Sequence, residues 1–186
     1  MLEEKIAALK EKAIENGVFT ATLMPTKDII VGDWVLQKCE FGCGKYGNCF
    51  TCPPFTPEPS ETSETMGKYK RALLIEYKGL HDVMQWKKIQ EDMHKLERSA
   101  FLSGFPKALA YVCGGCKLCG GPCPAEGLEE PKKSDLKKCR KRMVARPSME
   151  ACGIDVYNTV RNAGLELNFV QDKESSFNSY CLLLLD

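Results

Sequence analysis

Ala-Leu-Leu-Ile-Glu-Tyr at 72–77 opens the stretch that decides the fold, which runs to Ala-Leu-Ala-Tyr-Val at 108–112. Both segments are short apolar runs of the kind found in buried strands. Between them, over 82–103, apolar residues recur every three or four positions, and Gly104 and Pro106 follow where a helix would end. Strand, helix and strand predict a βαβ unit whose two strands are parallel and joined by a right-handed crossover.

The segments outside this unit complete the predicted sheet. Helices are predicted at 2–16 and 148–163, and strands at 18–24, 33–38, 165–171 and 179–185. Two loops rich in cysteine interrupt them, at about 39–65 and 113–147. The predicted fold class is α/β, with α+β as the alternative: a single mixed β-sheet with a βαβ unit, flanking helices and two cysteine-rich loops.

Charge and hydropathy exclude several classes of protein. The 186 residues carry a formal net charge of +1, so no excess of positive charge indicates nucleic acid as a partner. No run approaches the roughly 18 apolar residues of a membrane-spanning helix, and the charged residues 1–5 lack the apolar core of a secretory signal. We therefore expect a cytoplasmic protein with no nucleic-acid or membrane partner, and the sequence leaves homo-oligomerisation open.

Cysteine is the unusual component, with 11 residues in the chain. The number is odd, no export signal is visible, and cytosolic cysteine clusters serve metal binding or catalysis more often than disulfide bonding. Most of the cysteines fall in the two loops. Cys152 and Cys181 fall inside a predicted helix and a predicted strand, where cysteine usually acts as a small buried hydrophobic residue.

The run Cys113-x2-Cys116-x2-Cys119-x3-Cys123-Pro124 matches the bacterial ferredoxin spacing C-x2-C-x2-C-x3-C-P. A cubane needs thiolates directed at separate iron corners, and two-residue gaps let a tight loop point its sulfurs inward. Zinc sites more often pair two C-x2-C knuckles that lie a dozen or more residues apart. The spacing therefore predicts a [4Fe–4S] cluster, with zinc as the alternative metal.

More than one set of four cysteines could bind this cluster. In two-cluster ferredoxins the fourth cysteine of such a run serves the other cluster. Cys139 is therefore an alternative ligand, either in place of Cys113 or in place of Cys123.

A second group of four thiols lies in the other loop, Cys39-x3-Cys43-x5-Cys49-x2-Cys52. This spacing is not that of a ferredoxin run, so a second cluster, a zinc or other metal site, and unliganded thiols are all compatible with it. Residues 1–186 are accordingly predicted to form a single iron–sulfur domain with one cluster or two.

Several segments together carry a family resemblance. They are Cys39…Cys43…Tyr46-Gly47…Cys52-Pro53-Pro54, Gly115-Cys116-x2-Cys119-x3-Cys123, Cys139-Arg140 and, most distinctive, Arg146-Pro147-Ser148-Met149-Glu150-Ala151-x-Gly153-Ile154-Asp155-Val156. Over about residues 30–185 the chain resembles a cysteine-rich family of unknown function, described as predicted metal-binding proteins and found largely in anaerobic bacteria and archaea. The resemblance implies Cys116, Cys119, Cys123 and Cys139 as ligands. Cys113 and Cys49 look like additions to the family pattern, and the 123–139 spacer looks long.

The segment 131–146 is strongly basic, with eight lysines and arginines against one acidic residue. A four-thiolate [4Fe–4S] cluster carries about two net negative charges, so nearby cations raise its potential. Arg146 and Arg140 are the residues predicted to bind the cofactor, and Arg146 adjoins the predicted helix start at Pro147-Ser148.

These features predict an iron–sulfur electron carrier or redox subunit that works with a redox partner protein, which a basic surface would dock. The alternatives are a small redox enzyme that uses the cluster at a substrate pocket, and a metal-stabilised interaction module. No catalytic residue is predicted, because the sequence carries no motif for hydrolysis or nucleotide binding.

Overall fold

A computed structural model describes residues 1–167, 170, 172 and 175–186. Its helices are α1 (Leu2–Glu15), α2 (Asp33–Gly42), α3 (Pro59–Met66), α4 (Trp86–Leu102) and α5 (Val156–Asn162). Its strands are β1 (Thr20–Pro25), β2 (Arg71–Leu80), β3 (Leu109–Tyr111) and β4 (Phe177–Leu185). Short 3-10 turns lie at Thr26–Asp28, Val83–Gln85, Lys133–Lys138 and Glu150–Cys152.

The described strands form one sheet in the order β1-β2-β4-β3. Each hydrogen-bonded pair of neighbours is antiparallel. β2 and β3 both run antiparallel to β4, so they are parallel to each other, as the βαβ unit requires. The predicted single sheet with flanking helices is confirmed. The prediction of a mixed sheet is wrong, because the apolar strand β4 lies between β2 and β3 and bonds to both.

The sheet is covered on both faces, which explains why β2 reads as an uninterrupted apolar run. Its alternate residues Leu73 and Ile75 pack with the buried faces of α1 and α4. Leu74 lies in the opposite apolar cluster, with Met149 and Ile154 from the chain after the second cysteine loop. Such double burial is typical of strands without a polar alternation.

The largest difference from prediction falls beside the first cysteine loop. Residues 33–38, predicted as a strand, begin the helix α2, and the described part of the 39–65 loop contains the end of α2 and most of α3. A run of six residues cannot distinguish a short strand from a helix by periodicity. The correction matters, because Cys39 and Cys43 are then one helical turn apart at the end of α2.

The predicted helix at 148–163 is divided in two by Gly153. Ser148 does cap its first turn, since its Oγ accepts a hydrogen bond from Ala151 N at 3.1 Å. Gly153 then adopts φ 76°, and Asp155 starts α5 by accepting a bond from Asn158 N at 3.0 Å. The final strand is confirmed as β4. The predicted strand at 165–171 is absent from its described residues 165–167 and 170, and its other positions lie outside the described residues.

Candidate metal centre

Five cysteines from both cysteine loops line one cavity of about 300 Å³. They are Cys49, Cys116, Cys119, Cys123 and Cys139. Lys45 and Lys117 also line it, as do Gly120 and Gly121. The structure thus brings four of the cysteines singled out in the second loop together with one cysteine from the first.

The loop that carries Cys116 and Cys119 begins directly after β3, and a side chain of α4 holds it in place. The Gln90 side chain is buried, and its Nε2 donates to the carbonyls of Cys113 and Gly115, each at 3.2 Å. Its Oε1 accepts from Lys117 N at 2.9 Å. One buried amide therefore satisfies three backbone groups of the loop, which fixes the direction in which Cys116 leaves the backbone.

Cys139 is brought to the same cavity by a short 3-10 turn and an apolar patch. Cys139 N donates to Leu136 O at 3.1 Å at the end of that turn. The side chains of Leu136, Cys139 and Cys123 pack against a buried cluster that contains Phe50 and Phe55. Apolar packing, rather than chain proximity, therefore places Cys139 beside Cys123, across the long spacer noted in the sequence.

Cys49 connects the two cysteine loops, because its thiol hydrogen-bonds with the thiol of Cys116 in the other loop. It is buried, and its Sγ lies 3.4 Å from Thr51 Oγ1. Hydrogen bonds from the thiols of Cys116 and Cys52 lower the pKa of Cys49. The same contacts, together with burial, raise the pKa of Cys52 and of Cys116. The thiols of Cys49, Cys52 and Cys116 therefore form one hydrogen-bonded group, in which Cys49 contacts both of the others.

Cys39 and Cys43 do not line this cavity. They face a second, larger cavity of about 500 Å³, which Glu150 and Trp34 also line. Burial raises the pKa of the Cys39 thiol, and Cys43 and Glu150 raise it further as like-charged neighbours. Of the four cysteines of the first loop, Cys39 and Cys43 thus line one cavity and Cys49 the other, which the sequence did not predict.

No single-ion site is preformed among these thiols. Within residues 1–167, 170, 172 and 175–186, no three His, Cys, Asp or Glu side chains converge closely enough to hold one metal ion. Four thiolates on one zinc at about 2.3 Å would lie within roughly 4 Å of one another. The five cysteines line a cavity of about 300 Å³, which is larger than a single ion.

Residues 22–185 match the model of the DUF2284 family, described as predicted metal-binding proteins. The chain belongs to this family. The resemblance seen in the motifs is confirmed, and DUF2284 membership supports metal binding without specifying the metal. No curated protein and no solved structure matches the chain. In the part of the chain that the structure describes, no helix is both long enough and apolar enough to cross a membrane.

Cys113 has a different environment from the other cysteines of its run in this DUF2284 protein. It is 3% exposed and belongs to the apolar core beside α4. Its thiol hydrogen-bonds with that of Cys181, which contributes to the raised pKa of the fully buried Cys181. Cys152 and Cys181 are both buried, as the sequence predicted. Cys113 also lines the second cavity, and its role as a ligand stays a prediction.

The two arginines predicted to bind the cofactor make protein contacts instead of lining the thiol cavity. Arg146 Nε donates to Glu97 Oε2 at 2.8 Å, and this carboxylate also accepts from Ala110 N at 2.7 Å, so Arg146 ties the chain before Pro147 to α4 and β3. Arg140 Nη2 donates to Pro122 O at 2.7 Å, directly before Cys123. Arg140 therefore braces the loop that carries a candidate ligand.

Proposed function

We propose that this chain holds a [4Fe–4S] cluster in the five-thiol cavity and transfers electrons through it. The observation that carries the proposal is the convergence of Cys49, Cys116, Cys119, Cys123 and Cys139 on one cavity of about 300 Å³. Thiolates that surround a space, rather than a point, suit a cubane whose iron corners each take a separate ligand. Zinc would require the closer tetrahedral arrangement described above.

Cys116, Cys119 and Cys123 are the ligands common to the ferredoxin spacing and to the cavity. Cys139 or Cys49 would complete the set, since five thiols are available for four iron corners. When bound, such a cluster supplies reversible one-electron chemistry. Gln90 and Arg140 would hold the ligand loop in place, because they bond to its backbone carbonyls rather than to the thiols.

A cationic surface beside Cys139 favours an acidic redox partner. Lys137, Arg140, Lys141 and Arg142 line a shallow depression that also contains Cys139, and all four cations are exposed. Opposite charge steers association and orients the complex, which brings a partner's redox group close to the ligand. Lys45 and Lys117, at the cavity itself, would raise the potential of an anionic cluster.

Iron, acid-labile sulfide and zinc should be counted per chain after anaerobic purification. We expect iron and sulfide in equal numbers, in multiples of about four per chain, and a reversible one-electron step in a redox titration. Stoichiometric zinc without sulfide would refute the proposal. A cluster that cannot be reduced and reoxidised would refute electron transfer and favour a structural role.

Two variants test whether the counted iron is bound in the five-thiol cavity. Cys119→Ser removes a cavity thiol, so about four iron atoms per chain should be lost. Cys181→Ala removes a thiol of the apolar core, where it is fully buried away from the cavity, so its iron content should match that of the wild type. Equal iron content in the wild type and Cys119→Ser would contradict the placement of the cluster.

A further inference from the structure

The second cavity combines thiols with a carboxylate of which one oxygen lacks a hydrogen-bond partner among the described residues. Cys39 and Cys43 reach it from the end of α2, and Glu150 reaches it from the 3-10 turn Glu150–Cys152. The Oε2 atom of Glu150 is inaccessible to solvent and has no hydrogen-bond partner among the described residues. A buried carboxylate oxygen without a partner is costly, so this one points to a ligand that the protein is built to receive.

Short-range contacts hold the three segments of this site together. The α2 side is attached to the Glu150 turn through Gly32 N, which donates to Gly153 O at 2.9 Å. The Cys52 loop is attached to the same turn through Thr56 Oγ1, which donates to Ala151 O at 2.6 Å. A Cβ atom at Gly153 would lie 2.8 Å from Pro59 Cγ, so the turn and the start of α3 pack without space between them.

Cys52 lies within electrostatic range of Cys39 and Cys43. It is buried, and the backbone fixes it in a tight turn in which Cys52 N donates to Cys49 O at 2.9 Å. The first cysteine loop therefore places the thiols of Cys39 and Cys43 at the second cavity and that of Cys49 at the five-thiol cavity. The Cys52 thiol is hydrogen-bonded to that of Cys49 and within electrostatic range of the other two.

We propose that Cys39, Cys43 and Cys52 hold a second iron–sulfur cluster, with the Glu150 carboxylate as an oxygen ligand at its fourth iron. The chemistry is that of a cluster with three soft ligands and one hard, exchangeable ligand. The cavity of about 500 Å³ lies on the Glu150 side, within the size range of small-molecule sites. The iron bound by Glu150 is therefore the one that a small ligand could reach. This proposal shares with the proposed function only the choice of iron–sulfur chemistry.

Iron counting on three variants tests the second centre. The wild type should hold about eight iron atoms per chain, and Cys43→Ser and Cys119→Ser should each hold about four. Cys43 is exposed at the end of α2, so its replacement removes little packing, and circular dichroism verifies the fold. Cys152→Ala, a nearby buried thiol outside the proposed ligand set, is the matched control and should retain about eight.

Glu150→Gln tests the role of the carboxylate as a ligand separately from the role of the thiols. This variant should retain the second cluster, because three cysteines remain, while the EPR signal of that cluster shifts and the signal of the first does not. An unchanged EPR spectrum would refute Glu150 as a ligand. Wild-type protein with about four iron atoms, lost in Cys119→Ser and kept in Cys43→Ser, would overturn the second centre and leave the first intact. Zinc without sulfide would instead overturn the proposed function.

Discussion

Gly114→Ala should destabilise the protein much more than Gly120→Ala, although both glycines belong to the same cysteine loop. Their backbones are alike, with φ 59° at Gly114 and 65° at Gly120. Their surroundings differ. A Cβ atom at Gly114 would overlap the ring of Trp86, 2.6 Å from Cη2, whereas a Cβ atom at Gly120 would meet nothing within 4 Å.

Trp86 cannot easily make room for the added methyl group. Its Nε1 donates to Ser179 Oγ at 3.0 Å, and its ring packs edge to face on Phe177 with centroids 6.2 Å apart. The left-handed conformation costs an alanine about 1–2 kcal/mol at either position. Overpacking against a fixed ring adds about 1–3 kcal/mol at Gly114 alone. The two variants should therefore differ by about 1–3 kcal/mol in the free energy of unfolding.

Thermal unfolding followed by far-UV circular dichroism measures this difference. For a chain of this length, about 1 kcal/mol corresponds to roughly 2–4 °C in Tm, so Gly114→Ala should unfold roughly 2–12 °C below Gly120→Ala. The iron content of Gly114→Ala should also fall, because the displaced segment leads directly to Cys116. Equal melting temperatures for the two variants would show that Trp86 yields without cost and would refute the steric reasoning.

Two further predictions concern groups buried near the sheet. Gln90→Leu leaves the carbonyls of Cys113 and Gly115 without their side-chain donor, so it should lower the free energy of unfolding by about 2–4 kcal/mol and reduce the iron content. The control is Lys87→Gln, at an exposed position on the same helix. Equal iron content in the two variants would contradict the proposal that Gln90 holds the loop in place. Burial raises the pKa of Tyr180 to about 12. Because the unfolded chain ionises first, near its ordinary value of about 10, stability should fall as the pH rises from about 10 to about 12, as measured by urea midpoints, and a flat profile would contradict this.

The fold was predictable where periodicity extends over many residues. The strand, helix and strand of residues 72–112 were recognised because apolar spacing over a long helix is distinctive. The order of strands was not, since nothing within β2 or β3 indicates that β4 lies between them. The helix α2 was missed because a six-residue apolar pattern suits both kinds of structure.

In the candidate site, too, the residues placed by local sequence were predictable, and those placed by contacts between distant segments were not. Cys116, Cys119 and Cys123 were recognised from their spacing, which is a local property of one loop. The positions of Cys49 and Cys139 depend on the folding of distant segments, as the burial of Phe50 and Phe55 against Cys139 shows. Gln90 did leave a signal in the sequence: a polar residue on the buried face of an amphipathic helix needs partners, and its partners are the ligand loop.

The irregular spacing of the first cysteine loop has a physical explanation in its division between two cavities. Cys39 lies in the last turn of α2, and Cys43 is the C-cap of the helix, where Cys43 N donates to Cys39 O at 3.2 Å. Cys49 and Cys52 are three apart because a single tight turn joins them. Because Cys49 contacts both Cys52 and Cys116, the same turn would connect the two proposed centres through adjacent thiols, which gives electrons a short protein path from one to the other.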